Sequence, residues 1–110
     1  MPKAMPRLTR TDWLMGTAVF LWTAVLASYA ILRHQRLNST AYDLAIQSQA
    51  IWNTGDGRFF ASTLEVNNYL GDHVQPILLL LAPFYRLLPR VELLLIIQAL
   101  VLSVGAIPVY

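Results

Sequence analysis

The order of apolar and polar positions divides the chain into distinct stretches. Residues 1–12 form a basic tail carrying Lys3, Arg7 and Arg10, where Pro2 and Pro6 discourage regular structure. From Trp13 to Leu32 no residue is charged. As an α-helix, that run of about 20 residues extends about 30 Å, the thickness of a bilayer's hydrocarbon core. Thr11 and Asp12 mark the expected helix start, because their side-chain oxygens accept bonds from the first free amides. Arg33, His34 and Arg36 end the run, so the pattern predicts a transmembrane helix over 13–32. The rival is a cleaved signal peptide with Ser28-Tyr29-Ala30 at its cleavage site. The apolar stretch, however, exceeds the usual signal core of about 7–15 residues.

Residues 33–75 are richer in Asn, Gln, Ser, Thr and Gly. Thr40-Ala41-Tyr42-Asp43 fits a capping box, and the apolar positions after it predict a short helix near 41–53. Asn53-Thr54-Gly55-Asp56-Gly57 stops that helix, the stretch from Arg58 to Val66 is expected to be extended, and Asn67 to His73 reads as an irregular loop. Lipid leaves the amides of such a loop unpaired, so 33–75 belongs outside the bilayer or under a cover of protein.

Pro76 suits a first helical turn, where its missing amide hydrogen costs nothing. Ile77 to Leu88 is apolar apart from Arg86, but it is too short to span and is interrupted by Pro83. Residues 76–89 therefore read as an interfacial or re-entrant helix, and Pro89-Arg90 breaks the pattern. Apolar sequence then runs from Val91 to Tyr110 with only Glu92, Gln98 and Ser103 inside it, which predicts a second transmembrane helix over 91–110. Starting the span at Ile77 instead would bury Arg86, Arg90 and Glu92, at about 2.5–3.5 kcal/mol for each central charge. No polar flank follows Tyr110, so the chain is expected to be the N-terminal part of a larger multi-spanning protein.

Composition agrees with a membrane class. Of 110 residues, 56% are hydrophobic and 13% charged, too few charges for the polar shell of a soluble domain. The net charge of +2 comes from residues beside apolar runs, which fits membrane flanks and gives no nucleic-acid stripe. The absence of cysteine excludes disulfides and thiolate metal sites. Orientation stays open on charge: Lys3, Arg7 and Arg10 precede the first span, Arg33 and Arg36 follow it, and Arg86 and Arg90 offset the difference.

Several segments together carry a resemblance. They are Tyr42-Asp43-Leu44-Ala45-Ile46, Ala50-Ile51-Trp52-Asn53-Thr54, Gly57-Arg58, Leu70-Gly71-Asp72-His73, the run from Pro76 to Pro83, Gln98-Ala99-Leu100, Gly105-Ala106 and Pro108. Over roughly residues 40–110 the chain resembles the predicted membrane proteins called DUF2079, found in bacteria and archaea. It departs from their pattern at Ala45, Gln47, Val74 and Gln75. That family's architecture is similar to the GT-C class of membrane glycosyltransferases, which use polyprenyl-phosphate sugars. The resemblance implies an all-α membrane protein and the start of a multi-spanning GT-C-like fold. Two transmembrane helices would be joined by an extracytoplasmic loop with short interfacial helices, and the N-terminus would be cytoplasmic.

In those enzymes an acidic residue early in the first outer loop works at the active site, and Asp43 stands at the matching position. The resemblance implies that Asp43 is a base or metal ligand, with Asp72 and His73 as supporting residues beside Pro76. An acceptor hydroxyl needs a base within reach or a metal that lowers its pKa, and a carboxylate serves either way. The bland reading of Asp43 is the capping box alone; Asp72 and His73 are equally a loop carboxylate and a helix cap. Arg58 matches phosphate geometry, although a single arginine beside a turn is usually just solvated. Arg86 and Arg90 fit anionic headgroups, a lipid pyrophosphate, or simple snorkelling. The implied partners are the bilayer and a polyprenyl-phosphate sugar, with a divalent metal ion as a candidate cofactor and no nucleic acid. The alternatives are a non-catalytic protein that binds an envelope component or partner, and a transporter, for which Gln98, Ser103 and Pro108 are the only mid-span features.

Overall fold

The computed structural model describes residues 9–38, 41–64, 68–71 and 74–109, and all its regular elements are helical. They are α1 (Arg10–Gln35), α2 (Ala41–Gly55), α3 (Leu78–Leu87) and α4 (Val91–Val104). Single 3₁₀ turns lie at Tyr69–Gly71 and Ile107–Val109. Arg10–Gln35 and Val91–Val109 are long and apolar enough to cross a membrane. Only 6% and 11% of their most apolar windows are buried, so neither is the core helix of a soluble domain.

The first helix starts earlier than Thr11–Asp12. Thr9 is its N-cap: the Thr9 hydroxyl accepts from the Asp12 amide at 3.2 Å, and Asp12 Oδ2 accepts from the Thr9 amide at 2.7 Å. Asp12 is thus the third helical residue of a reciprocal capping box rather than the cap itself. Inside the apolar helices three hydroxyls are satisfied by their own helix. Thr17 donates to the Trp13 carbonyl, Thr23 to that of Val19 and Ser103 to that of Ala99, each at 2.8 Å. Such internal pairing is what hydrocarbon demands of a hydroxyl.

α1 and α4 pack on each other, with the C-terminal end of α1 against the N-terminal half of α4, so they run in opposite directions. The buried residues of the two helices are Ala27, Ala99 and Ser103, all small. Small side chains let the backbones approach where no hydrophobic effect drives helices together.

α2 and α3 form a second pair. Its core joins Ile46, Ala50 and Ile51 of α2 to Leu78, Ala82 and Tyr85 of α3, with Phe60 and Tyr69 closing it and Leu93 and Leu94 of α4 packed against it. Gly55 lets the pair close, since a Cβ there would stand 3.3 Å from the Ala82 carbonyl oxygen. Arg86 ties the same end: its Nη1 donates to the Gly55 carbonyl at 2.7 Å and to Asp56 Oδ1 at 3.1 Å. A cation on the last carbonyls of α2 also complements the helix dipole.

Two expectations need correction here. The described part of the stretch from Arg58 to Val66, residues 58–64, is not an extended strand but a turn and loop laid along α2. Three α2 side chains hold it. Asn53 donates to the Ala61 carbonyl at 2.7 Å, the Thr54 hydroxyl accepts from the Phe60 amide at 2.9 Å, and Gln49 bonds Ser62 and Thr63. Phe60 takes a left-handed φ of 54°, which brings its ring into the core. Pro83 does not interrupt its helix either, because α3 runs through it from Leu78 to Leu87. The cost is local: Pro83 brings no amide hydrogen to the carbonyl of Leu79.

Candidate functional site

Where the C-terminal end of α1, the start of α2 and the first half of α4 converge, they leave an open-sided cavity of about 360 Å³. α1 contributes Tyr29, Ala30 and Arg33, α2 contributes Asp43, Leu44 and Gln47, and α4 contributes Leu95 and Gln98. Helical spacing explains the set. Positions 29, 30 and 33 share one face of α1, 43, 44 and 47 one face of α2, and 95 and 98 one face of α4. The walls mix apolar side chains with an acid, a guanidinium, two amides and a phenol.

The electrostatics are of mixed sign. Asp43 is the only acid among the lining residues, and Arg33 is the only cation. Arg33 is partly engaged, because its Nε donates to the Asn38 carbonyl at 3.0 Å and so helps close the end of α1. Asp43 lies in the first turn of α2, where the free amides and positive dipole end favour a carboxylate. Thr40, the other half of the expected capping box, lies outside the described residues. Gln98 sits roughly 10 Å along α4 from its start, a depth at which an amide side chain is costly unless a cavity or partner receives it.

The other expected site residues fall elsewhere. Asp72 and His73 lie outside the described residues. Arg58 does not line the cavity; it pairs with Asp56 at 3.5 Å, so Asp56 sits between Arg58 and Arg86. Arg86 does not line the cavity either; its Nη1 is engaged by the end of α2 while the side chain stays half-exposed. Metal ligation fits the described residues poorly. No group of three or more His, Cys, Asp or Glu comes together among them, and the one cavity carboxylate shares its space with a guanidinium.

Tyr29, Arg33, Gln47 and Gln98 were not legible as site residues. Arg33 reads as a membrane flank and Tyr29 as part of an apolar run, and their meeting with α2 is a tertiary fact. Only Gln98 left a signal, as a lone amide in an apolar span.

Family comparison agrees with this architecture. A family described as predicted membrane protein (DUF2079) matches residues 33–110, which takes in α2, α3, α4 and the cavity side chains they carry. The chain belongs to the DUF2079 family. This membrane family supplies the setting the two long apolar helices require: contact with a lipid bilayer. No curated protein and no solved structure matches the chain.

Proposed function

We propose that this DUF2079 chain forms the first part of a membrane transferase of GT-C type, with the cavity between α1, α2 and α4 as part of its site. The substrate is a polyprenyl-phosphate-linked sugar. The observation that carries the reading is the placement of Asp43, a carboxylate in the wall of an open cavity formed where two apolar helices meet. A lipid-linked donor needs such a boundary site, with apolar walls for its chain and polar groups for its head. Asp43 takes the proton from the attacking acceptor hydroxyl as the bond to the leaving phosphate breaks, the role of a general base. Arg33, at the same cavity, offsets charge on that phosphate, while Gln47 and Gln98 offer amide hydrogen bonds to hydroxyls or phosphate oxygens. A ligand role for Asp43 would need further donors, which the described residues do not bring to it.

A non-catalytic reading has one observation in its favour: a single acid beside a guanidinium and two amides is also enough to hold an envelope lipid or glycan without reaction. The two separate in one experiment. The full-length protein in proteoliposomes is given polyprenyl-phosphate sugars, native and as Asp43→Asn. Transfer by the native protein that falls by about 10²-fold or more in a folded Asp43→Asn variant is expected of a base. No transfer across a broad donor panel favours the binding reading, and equal transfer by both proteins returns Asp43 to the first turn of α2 with no part in the reaction.

A further inference from the structure

A second recess lies on another side of α2. Asp43, Leu44 and Gln47 face the cavity, whereas Ser48, Gln49 and Trp52 stand about 140° further around the helix. With Tyr85 of α3 and Pro89 of the α3–α4 connection, they line an open groove of about 340 Å³. That is enough for a small ligand, at the lower end of the range of about 300–1,000 Å³. Trp52 breaks the pattern of its surroundings. Ala50, Ile51, Asn53 and Thr54 are buried, yet the indole is 42% exposed. The polar groups of the groove are held in place. Gln49 Oε1 accepts from the Ser62 hydroxyl and the Thr63 amide, each at 3.0 Å, and Nε2 donates to the Thr63 hydroxyl at 2.8 Å. An amide nitrogen carries two hydrogens, so the second Nε2 hydrogen finds no partner among the described residues. Ser48 donates to the Ala45 carbonyl at 3.0 Å and shares a hydrogen bond with the Tyr85 phenol.

We propose that this groove is a second ligand site, which binds a neutral pyranose stacked on Trp52 with its hydroxyls towards Gln49 and Ser48. The chemistry of the lining selects the ligand. None of the five lining residues is charged, so a phosphate or an ammonium group would find no counter-ion there. An acyl chain would cover the indole but leave the fixed amide and hydroxyl unmatched. A pyranose answers both parts, with a face of C–H bonds for the indole and the Pro89 ring and a rim of hydroxyls for the polar edge. The phosphate-bearing donor belongs to the cavity that holds Arg33, and the groove takes an uncharged sugar. That this sugar is part of the acceptor rests on the transferase reading; its binding does not.

The test reads binding alone. The protein in lipid nanodiscs, free of glycoside detergent, is titrated with cellobiose, chitobiose and maltose, and saturation transfer to their ring protons is followed by NMR. Transfer to at least one of these sugars is the expected result. Its affinity should fall about tenfold or more in Trp52→Ala, fall less in Trp52→Phe, and stay unchanged in Asp43→Asn. An unchanged thermal transition in Trp52→Ala shows that the loss is one of stacking. As a check that does not need this variant, the fluorotryptophan-labelled protein should show a sugar-dependent shift of the fluorine resonance that Trp52→Phe lacks. No transfer to any of the three sugars overturns the proposal, as does equal binding by Trp52→Ala, or a static Trp52 resonance. Binding that disappears in Asp43→Asn overturns it too, by placing the sugar in the cavity. Because no glycosyl transfer is read, failure of the transferase reading leaves a positive result standing.

Discussion

At Gly55 the backbone of α2 comes so close to α3 that a side chain has almost no room. An added Cβ would stand 3.3 Å from the Ala82 carbonyl oxygen and 3.6 Å from the Arg86 Cβ. Gly55→Val places two further carbons into that gap and pushes the helix end from the arginine that closes it. A loss of about 1–3 kcal/mol is expected, read as a lower thermal transition of the protein in detergent. An unchanged transition would mean that α2 and α3 do not approach this closely. The neighbouring charges show why residue types alone mislead. Arg33 and Arg86 both adjoin apolar residues, yet one lines the cavity and the other closes a helix. Asp43 and Asp56 differ in the same way, one in a cavity wall and one between two arginines. Local sequence does not separate the members of either pair; the convergence of α1, α2 and α4 and the pairing of α2 with α3 decide what each one touches.

Among the elements, the apolar helices were the most legible. An uninterrupted charge-free run is a one-dimensional signal, so two long apolar helices follow from the sequence directly, whereas the all-helical fold comes through the resemblance. The stretch after α2 was not legible, because Gln49, Asn53 and Thr54 hold it from another element. The start of α1 was misplaced because Asp12 makes a plausible cap by itself, and only the geometry shows it answering Thr9. The α1–α4 contact depends on small residues, so Ala99→Leu should wedge the helices apart. It is expected to cost about 1–3 kcal/mol and to lower the thermal transition, while the exposed Leu100→Ala leaves it nearly unchanged. The α2–α3 pair has a pH signature. Burial pushes the Tyr85 phenol above its ordinary range; a hydrogen bond with Ser48 opposes this, and the charge of Glu92 adds to it. The neutral phenol therefore stabilises the fold fully below the ordinary tyrosine pKa of about 10. That contribution is lost as pH rises through the higher folded value. Thermal unfolding followed from about pH 9 to about pH 11 should fall in native protein and fall less steeply in Tyr85→Phe.

For the whole molecule, opposed α1 and α4 put the end of one and the start of the other at a common level. The α2–α3 pair packs against both that level and the first half of α4, which is where the cavity forms. The orientation implied by resemblance, with a cytoplasmic N-terminus and an outer loop, makes a direct prediction at this scale. Gly71→Cys in intact cells should react with a membrane-impermeant thiol reagent; protection until the cells are opened would invert the topology. The same placement explains why the site was only partly visible beforehand. Asp43 could be singled out through resemblance, but a cavity shared by three helices exists only once α1 and α4 have met.

Pro83 sets one further constraint. Because its nitrogen carries no hydrogen, the Leu79 carbonyl lacks the donor that an ordinary helical residue would supply. In pure hydrocarbon an orphaned carbonyl is costly, and water, a neighbouring side chain or a tightened helical turn has to relieve it. The proline therefore leaves α3 a point on its backbone that asks for a donor from outside the regular ladder, without adding a charge.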